Sequence, residues 1–167
     1  YDKDALGRDV TSWAEMLGSD VQGRVGLTNT PQVGVMDVAM ATEAAGLMSF
    51  GDKGDMTRAE IDQLMDYLIE RKKEGHFRSF WETFGQSVNL MVSGEVLIES
   101  MWSPAVTASR AEGINCVYAT LDEGYRGWHS GITISAKVSG AALDRAYEYL
   151  NWWLEGWAGA FQGRMGY

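Results

Sequence analysis

Apolar positions repeat with a helical spacing in the stretch from Arg58 to Lys73. The apolar members lie three or four positions apart: Ile61, Leu64, Met65, Leu68 and Ile69. This spacing places them on one face of a helix, with charged side chains on the other face. Thr57 and Glu60 have the spacing of a capping box, which begins a helix, and Gly75 is suited to end it. We therefore predict an amphipathic helix between Thr57 and Gly75.

Four further stretches also predict helices. The segment 32–47, after Pro31, carries only Asp37 and Glu43 as charges, so other elements should cover most of its circumference. The segments 84–92 and 103–113 are short, and the second begins with Ser103 and a proline. The last helix is predicted over 140–155. Its apolar stripe is expected to face a core and consists of Leu143, Ala146, Tyr147, Leu150 and Leu154.

Short apolar runs bounded by turn residues predict four strands, which cover the segments 24–28, 95–101, 115–119 and 131–135. These strands alternate with the predicted helices. Such alternation is typical of a mainly parallel sheet with helices on its faces, so the predicted fold class is α/β. Cys116 lies in the third apolar run and is expected to pack in the core.

Composition narrows the classes of function. The chain has 46% hydrophobic and 22% charged residues, which is typical of a globular protein. No apolar run approaches the roughly 20 residues that cross a bilayer, so we expect no direct membrane insertion. With 14 basic against 23 acidic residues, the net charge is -9, which repels nucleic acid. We therefore expect no nucleic-acid partner.

The chain offers little material for catalysis. The two histidines, His76 and His129, have no metal-ligand spacing, so no metal is expected. Cys116 and His129 lie thirteen positions apart on apolar stretches, without a group that would orient the imidazole. Glycines form no phosphate-binding fingerprint after a strand. We expect no cofactor and no catalytic residue, although an enzyme with an unrecognised nucleophile stays open as an alternative.

Aromatic residues stand at the ends of predicted strands. Trp102 ends one strand, Trp128 precedes another, and Tyr125 lies in the turn before it. Ligands of open α/β sheets bind beyond the carboxyl ends of the strands, so Trp102 has a suitable position. Thr30 and Ser103 precede prolines at helix starts, where backbone N–H groups can bind a ligand oxygen. The rings could equally fill core space, and the two hydroxyl residues could simply cap their helices.

The order of several short motifs resembles the solute-binding proteins of bacterial ABC importers, and most closely their spermidine/putrescine-binding branch. The motifs cover the segments 12–14, 23–27, 93–98, 101–103, 123–128, 132–135, 146–150 and 166–167. The resemblance implies part of a type II periplasmic binding fold, in which two lobes close on a small solute. It also implies a periplasmic or lipid-anchored extracellular location and delivery of the solute to a membrane permease.

The resemblance further implies a division of the chain. Residues 1–122 would form the second α/β lobe, and residues 123–136 would form a hinge strand that crosses between lobes. Residues 137–167 would form a helical return segment that packs on the first lobe. Because most of a first lobe is not represented, the chain is expected to be a fragment. The alternative is a stand-alone α/β interaction domain that dimerises through Tyr149 and Trp152.

The resemblance also implies a set of ligand-binding residues. Aromatic rings that would stack on the solute are Trp102, Trp128, Tyr125 and Tyr167, and polar groups are Asn29, Thr30, Ser103 and Ser130. The carboxylates that would neutralise polyamine ammonium groups are not found at Asn29, Thr30, Val33 or Ser130. Since a buried ammonium without a carboxylate is costly, we expect a less cationic solute, zwitterionic or carboxylate-bearing, within the range from polyamine-like to amino-acid-like.

Overall fold

The computed structural model describes residues 1–127 and 129–167 as two units, Tyr1–Arg126 and Gly127–Tyr167. The first unit contains, in chain order, α1 (Lys3–Leu6), 3-10 turns at Trp13–Leu17 and Ser19–Val21, β1 (Val25–Thr28), α2 (Pro31–Ala44), α3 (Arg58–Lys73), β2 (Phe77–Trp81), α4 (Phe84–Val92), β3 (Ile98–Glu99) and α5 (Ser103–Ala111). The second unit contains α6 (Ala141–Leu154) and α7 (Gly156–Arg164).

The sheet of the first unit confirms the predicted α/β class. Its three strands are parallel in the order β2-β1-β3, and Val25 pairs with both Phe77 and Ile98. All four residues of the central strand β1 are buried, as expected for a parallel strand covered by helices on both faces. The sheet thus brings the carboxyl ends of all three strands to one edge.

Helix α2 packs unusually close to the strand that precedes it. Gly34 permits this approach, because a Cβ atom there would lie only 2.4 Å from the backbone oxygen of Thr28. The predicted coverage of the helix is confirmed. Its buried residues are Gly34, Asp37, Val38, Ala39, Met40, Ala41 and Thr42. The helix is therefore a buried element that fixes the position of its own first turn relative to β1.

The capping box at Thr57 and Glu60 begins α3 as predicted. The apolar face of this helix is only partly used. Leu64 and Leu68 are buried in the main core, whereas three members of the predicted stripe remain exposed: Ile61, Met65 and Ile69. The periodicity therefore predicted the helix correctly, and only one side of its apolar face meets the sheet.

Three of the four predicted strands need correction, and one observed strand was not predicted. The sequence analysis did not predict β2, in which the exposed Arg78 interrupts the apolar run. The strand expected over 95–101 is reduced to Ile98–Glu99, because the N–H groups of Glu95 and Val96 donate back to the Leu90 carbonyl after α4. The strand expected over 115–119 is only a bridge between Asp2 and Cys116. Residues 131–135 are coil and form no ladder with any described residue.

The second unit is helical and poorly covered. None of the residues of α6 is buried, and Ala158 is the buried residue of α7. The prediction that Tyr147 and Leu154 face a core is wrong, because they are 55% and 84% exposed. Tyr149 and Trp152 are also exposed, and their role in dimerisation stays a prediction. Aromatic rings stack along the surface, with centroids 6.2 Å apart for Tyr149 and Trp152 and 6.1 Å apart for Trp157 and Phe161.

Cys116 packs in the core, as predicted. It belongs to a small apolar cluster with Met91, Val96 and Val106. Burial raises the pKa of its thiol, so this sulfur is protonated and enclosed. In the described part of the chain, no helix has the length and apolar character needed to span a membrane.

Candidate binding site

The carboxyl ends of the three strands form the first part of the site. In the strand order β2-β1-β3, the connection after β1 leads to β2 on one side, and the connection after β2 crosses to β3 on the other side. The strand order therefore reverses between β1 and β3, and the crevice between their carboxyl ends is a topological switch point. The residues that follow the strands at this edge are Asn29 and Thr30 after β1, Glu82 after β2, and the segment 100–103 after β3. We call this set the carboxyl edge.

Side chains at the carboxyl edge contact one another across the strands. The Asn29 side-chain amide donates to a Glu82 carboxylate oxygen at 2.8 Å. The buried Trp81 donates its indole N–H to the Ser100 carbonyl at 3.0 Å. Its ring also meets Trp102 edge to face, with centroids 5.2 Å apart. Trp102 is 40% exposed, so the same edge presents an aromatic ring, an amide and a carboxylate.

Two helices begin at the carboxyl edge without a side-chain cap. Thr30 precedes the first turn of α2, and Trp102 precedes that of α5. Neither side chain accepts a hydrogen bond from a described N–H group of its helix. By contrast, α4 begins with a capping box of Thr83 and Gln86. Pro31 and Pro104 have no N–H group, and Val33 and Ala105 donate to the carbonyls of Thr30 and Trp102. One N–H group in each first turn, that of Gln32 in α2 and that of Ser103 in α5, therefore has no described acceptor and lies at a positive dipole end that can bind a ligand oxygen.

A cavity of about 90 Å³ adjoins this edge within the first unit. Ser100 and Met101 line it, and Trp102 follows them directly in the chain. Its wall contains aromatic rings and three ionisable side chains: Trp13, Tyr118, Tyr125, Asp37, Glu99 and Arg126. The cavity thus combines a polar interior with flat apolar walls, which is the usual character of a small-molecule site.

An ion pair lies in the cavity wall. Arg126 Nε donates to Asp37 Oδ1 at 2.7 Å, and the Ser100 hydroxyl donates to the other Asp37 oxygen. The Asp37 side chain is fully buried, and that of Arg126 is 21% exposed. Burial raises the pKa of the neighbouring Tyr118 phenol, while Arg126 opposes the rise. The guanidinium group is therefore held in place by a buried carboxylate beside an aromatic ring.

Glu99 adds a buried acid to the same wall. Its side chain lies against Gly26, where a Cβ atom would lie 2.8 Å from Glu99 Cγ. Neither carboxyl oxygen has a hydrogen-bond partner among the described residues. Burial raises the pKa of Glu99 to about 8, and the Ser87 hydroxyl and the amino group of Tyr1 oppose this rise. At neutral pH this carboxyl group is therefore mostly protonated.

The segment that carries Tyr125 and Arg126 is tied to the first part of the chain. The Ser12 hydroxyl donates to Glu123 at 2.5 Å, and the Trp13 indole N–H donates to the Gly124 carbonyl at 2.9 Å. Tyr125 donates its hydroxyl to the Ala119 carbonyl and packs against Tyr118, with ring centroids 5.4 Å apart. These contacts close the outer wall of the cavity.

The predicted site residues separate into groups. Four of them meet at the carboxyl edge: Asn29, Thr30, Trp102 and Ser103. Tyr125 lies instead in the cavity wall. Ser130 and Tyr167 are exposed residues of the second unit, and Trp128 lies outside the described residues.

Several polar residues of the site were not predicted from the sequence: Asp37, Glu82, Glu99 and Arg126. Glu82 was missed because it follows the strand that was not predicted. Asp37 did leave a signal, since a lone acid on an otherwise apolar, covered helix needs a buried partner. In the described ranges, no group of three potential metal ligands occurs.

Residues 1–157 match the family model described as bacterial extracellular solute-binding protein. The chain therefore belongs to this family. No curated protein and no solved structure matches the chain.

Family membership assigns an extracellular solute-binding role in ABC transport, a function that is typically not enzymatic. It also supports a location outside the cytoplasm, in the periplasm or at the cell surface. The parallel sheet flanked by helices is consistent with part of a type II periplasmic binding fold.

Proposed function

We propose that this protein captures a small amino-acid-like solute at the carboxyl edge and delivers it to the permease of an ABC importer. The observation that carries the proposal is the convergence of Asn29, Glu82 and Trp102 at the ends of three parallel strands. The Glu82 carboxylate and the Asn29 carbonyl oxygen are suited to accept hydrogen bonds from an ammonium group. The exposed face of Trp102 is suited to cover the adjoining methylene groups.

The electrostatics of the edge favour a zwitterion over a polyamine. Glu82 supplies one exposed carboxylate to the edge, whereas the first turns of α2 and α5 present positive dipole ends. A second ammonium group placed at those helix ends would be repelled, and a solute oxygen would be attracted. The positive helix ends therefore support a less cationic solute, as expected from the sequence. The reason differs from the one given there, because Glu82 does supply a carboxylate at the edge.

The proposal is tested by calorimetric titration of the full chain with γ-aminobutyrate, its amide and putrescine. Each has an ammonium group on a methylene chain, and the other end of the chain is a carboxylate, a neutral amide or a second ammonium group, respectively. Glu82→Gln should weaken binding of γ-aminobutyrate about tenfold or more, because it removes a charge-assisted hydrogen bond. The matched control is Glu112→Gln, an exposed residue after α5, which should leave binding unchanged. Tight binding of putrescine without a response to γ-aminobutyrate would refute the amino-acid-like class.

A further inference from the structure

The cavity beside the carboxyl edge contains a guanidinium group whose donors are only partly used. Arg126 Nε is bonded to Asp37, and no described residue accepts a hydrogen bond from either Nη atom. Arg126 lines the cavity, together with the half-exposed rings of Tyr118 and Tyr125. We propose that this cavity is a subsite for a carboxylate group of the solute, which the two Nη groups of Arg126 bind in a fork. The proposal rests on the proposed function, because it assigns the second end of the same solute.

Asp37 and Ser100 make Arg126 suited to this role. Asp37 is fully buried and accepts hydrogen bonds from both Arg126 and Ser100, so the guanidinium plane is fixed before the solute arrives. A planar guanidinium fixed in this way matches the two oxygens of a carboxylate, which a lysine ammonium cannot do. Within the ion pair, the charge of Asp37 balances that of Arg126. Selection of a carboxylate therefore comes from hydrogen-bond geometry more than from excess positive charge.

The remaining walls are consistent with one small carboxylate group. A cavity of about 90 Å³ holds only a few heavy atoms, which is enough for a carboxyl group and the start of its stem. The rings of Trp13, Tyr118 and Tyr125 shield these atoms from water, which strengthens hydrogen bonds to the guanidinium. Because burial raises the pKa of Glu99 to about 8, this wall residue adds little negative charge at neutral pH.

The position of the cavity connects it with the edge. Ser100 and Met101 line the cavity, and the next residues, Trp102 and Ser103, belong to the carboxyl edge. The proposal places the ammonium group of the solute at Glu82, its methylene chain on Trp102 and its carboxylate in this cavity. The subsite therefore accounts for the second charged group of a zwitterion.

The test uses the same three probes at neutral pH and compares the affinity for γ-aminobutyrate with that for its amide. The wild-type chain should bind γ-aminobutyrate at least about tenfold more tightly than its amide. Arg126→Lys, which can still pair with Asp37, should weaken binding of the acid about 10- to 100-fold and leave the amide unchanged. The matched control Arg58→Lys, at a side chain that is 93% exposed, should change neither.

A second variant separates binding from folding. The double variant Asp37→Asn with Arg126→Gln replaces the ion pair by neutral groups that can still bond, and it should show the same loss for the acid. Thermal unfolding of every variant is measured alongside. Equal affinity of the wild-type chain for acid and amide, or an equal loss of both in Arg126→Lys, overturns the carboxylate subsite. In either case a retained effect of Glu82→Gln leaves the proposed function standing, whereas no binding of any probe overturns both.

Discussion

Helices α2 and α6 have the same length, 14 residues, and opposite surroundings. Seven residues of α2 are buried, whereas none of α6 is. Both contain many apolar side chains, and α6 includes the exposed Tyr147, Tyr149, Trp152 and Leu154. The difference shows that an apolar pattern predicts a helix and a face but does not predict that the face is covered. Cover depends on what the rest of the fold places there.

The contrast extends to polar groups. In α2 the single buried acid, Asp37, is paired with Arg126 and Ser100, because an unpaired charge at that depth would be very costly. In α6 the charged residues are exposed to water and need no partner. Matched substitutions in the two units should therefore change stability by different amounts, and in one case in opposite directions.

The largest expected effect is at Asp37. Asp37→Ala should lower the free energy of unfolding by about 3–5 kcal/mol, because it leaves the Arg126 guanidinium without its buried partner. Asp144→Ala, in the first turn of α6, should change stability by no more than about 0.5 kcal/mol. Urea denaturation of the two variants measures both values. Similar losses for both would show that the burial contrast between these helices is not real.

The next effect concerns pH and the buried Glu99. Its pKa is raised to about 8 from an ordinary 4.5, so the folded chain retains a proton that the unfolded chain has already released. The contribution of Glu99 to the free energy of unfolding is therefore fully present below about pH 4.5. It is lost as the pH rises toward 8, at up to about 1.4 kcal/mol per pH unit. Glu99→Gln should remove this slope in denaturation measured across the window. The exposed Glu148→Gln in α6 serves as control and should keep it.

The smallest expected effects are at two glycines, where substitution by alanine should change stability in opposite directions. Gly34→Ala should cost about 1–3 kcal/mol, because its Cβ atom would overlap the Thr28 carbonyl and push α2 away from β1. Gly159→Ala in α7 should instead stabilise the chain by up to about 1 kcal/mol, since the space around it is open and alanine favours a helix. Melting temperatures that shift in the same direction for both variants would contradict this expectation.

Local signals were enough to predict most helices. The capping box at Thr57 and the proline at position 31 act within one turn, so α2 and α3 could be recognised without knowing the fold. The aromatic residue Trp102 could likewise be placed at a strand end. Strand β2 could not be recognised, since Arg78 and Ser79 break its apolar run and its partner β1 lies about fifty residues earlier. With β2 the sequence analysis also lost Glu82, the carboxylate of the edge.

Pairings between distant residues could not be predicted from the sequence. Asp37 and Arg126 are 89 positions apart, and only the packed sheet brings them together. Residues 131–135 show the converse error. Their alternating pattern resembles a strand, but a strand exists only where a neighbouring chain supplies hydrogen bonds, and the described residues supply none.

The walls of the cavity come from segments that lie far apart in the sequence, and this affects the order of folding. Contacts that close the cavity join Ser12 to Glu123 across 111 positions and Asp37 to Arg126 across 89. During synthesis β1, α2 and α3 leave the ribosome well before residues 123–126 do, so their local contacts can form first. Closing such long loops is entropically costly and slow. We therefore expect the carboxylate subsite to mature last, after the sheet that supports it is already in place.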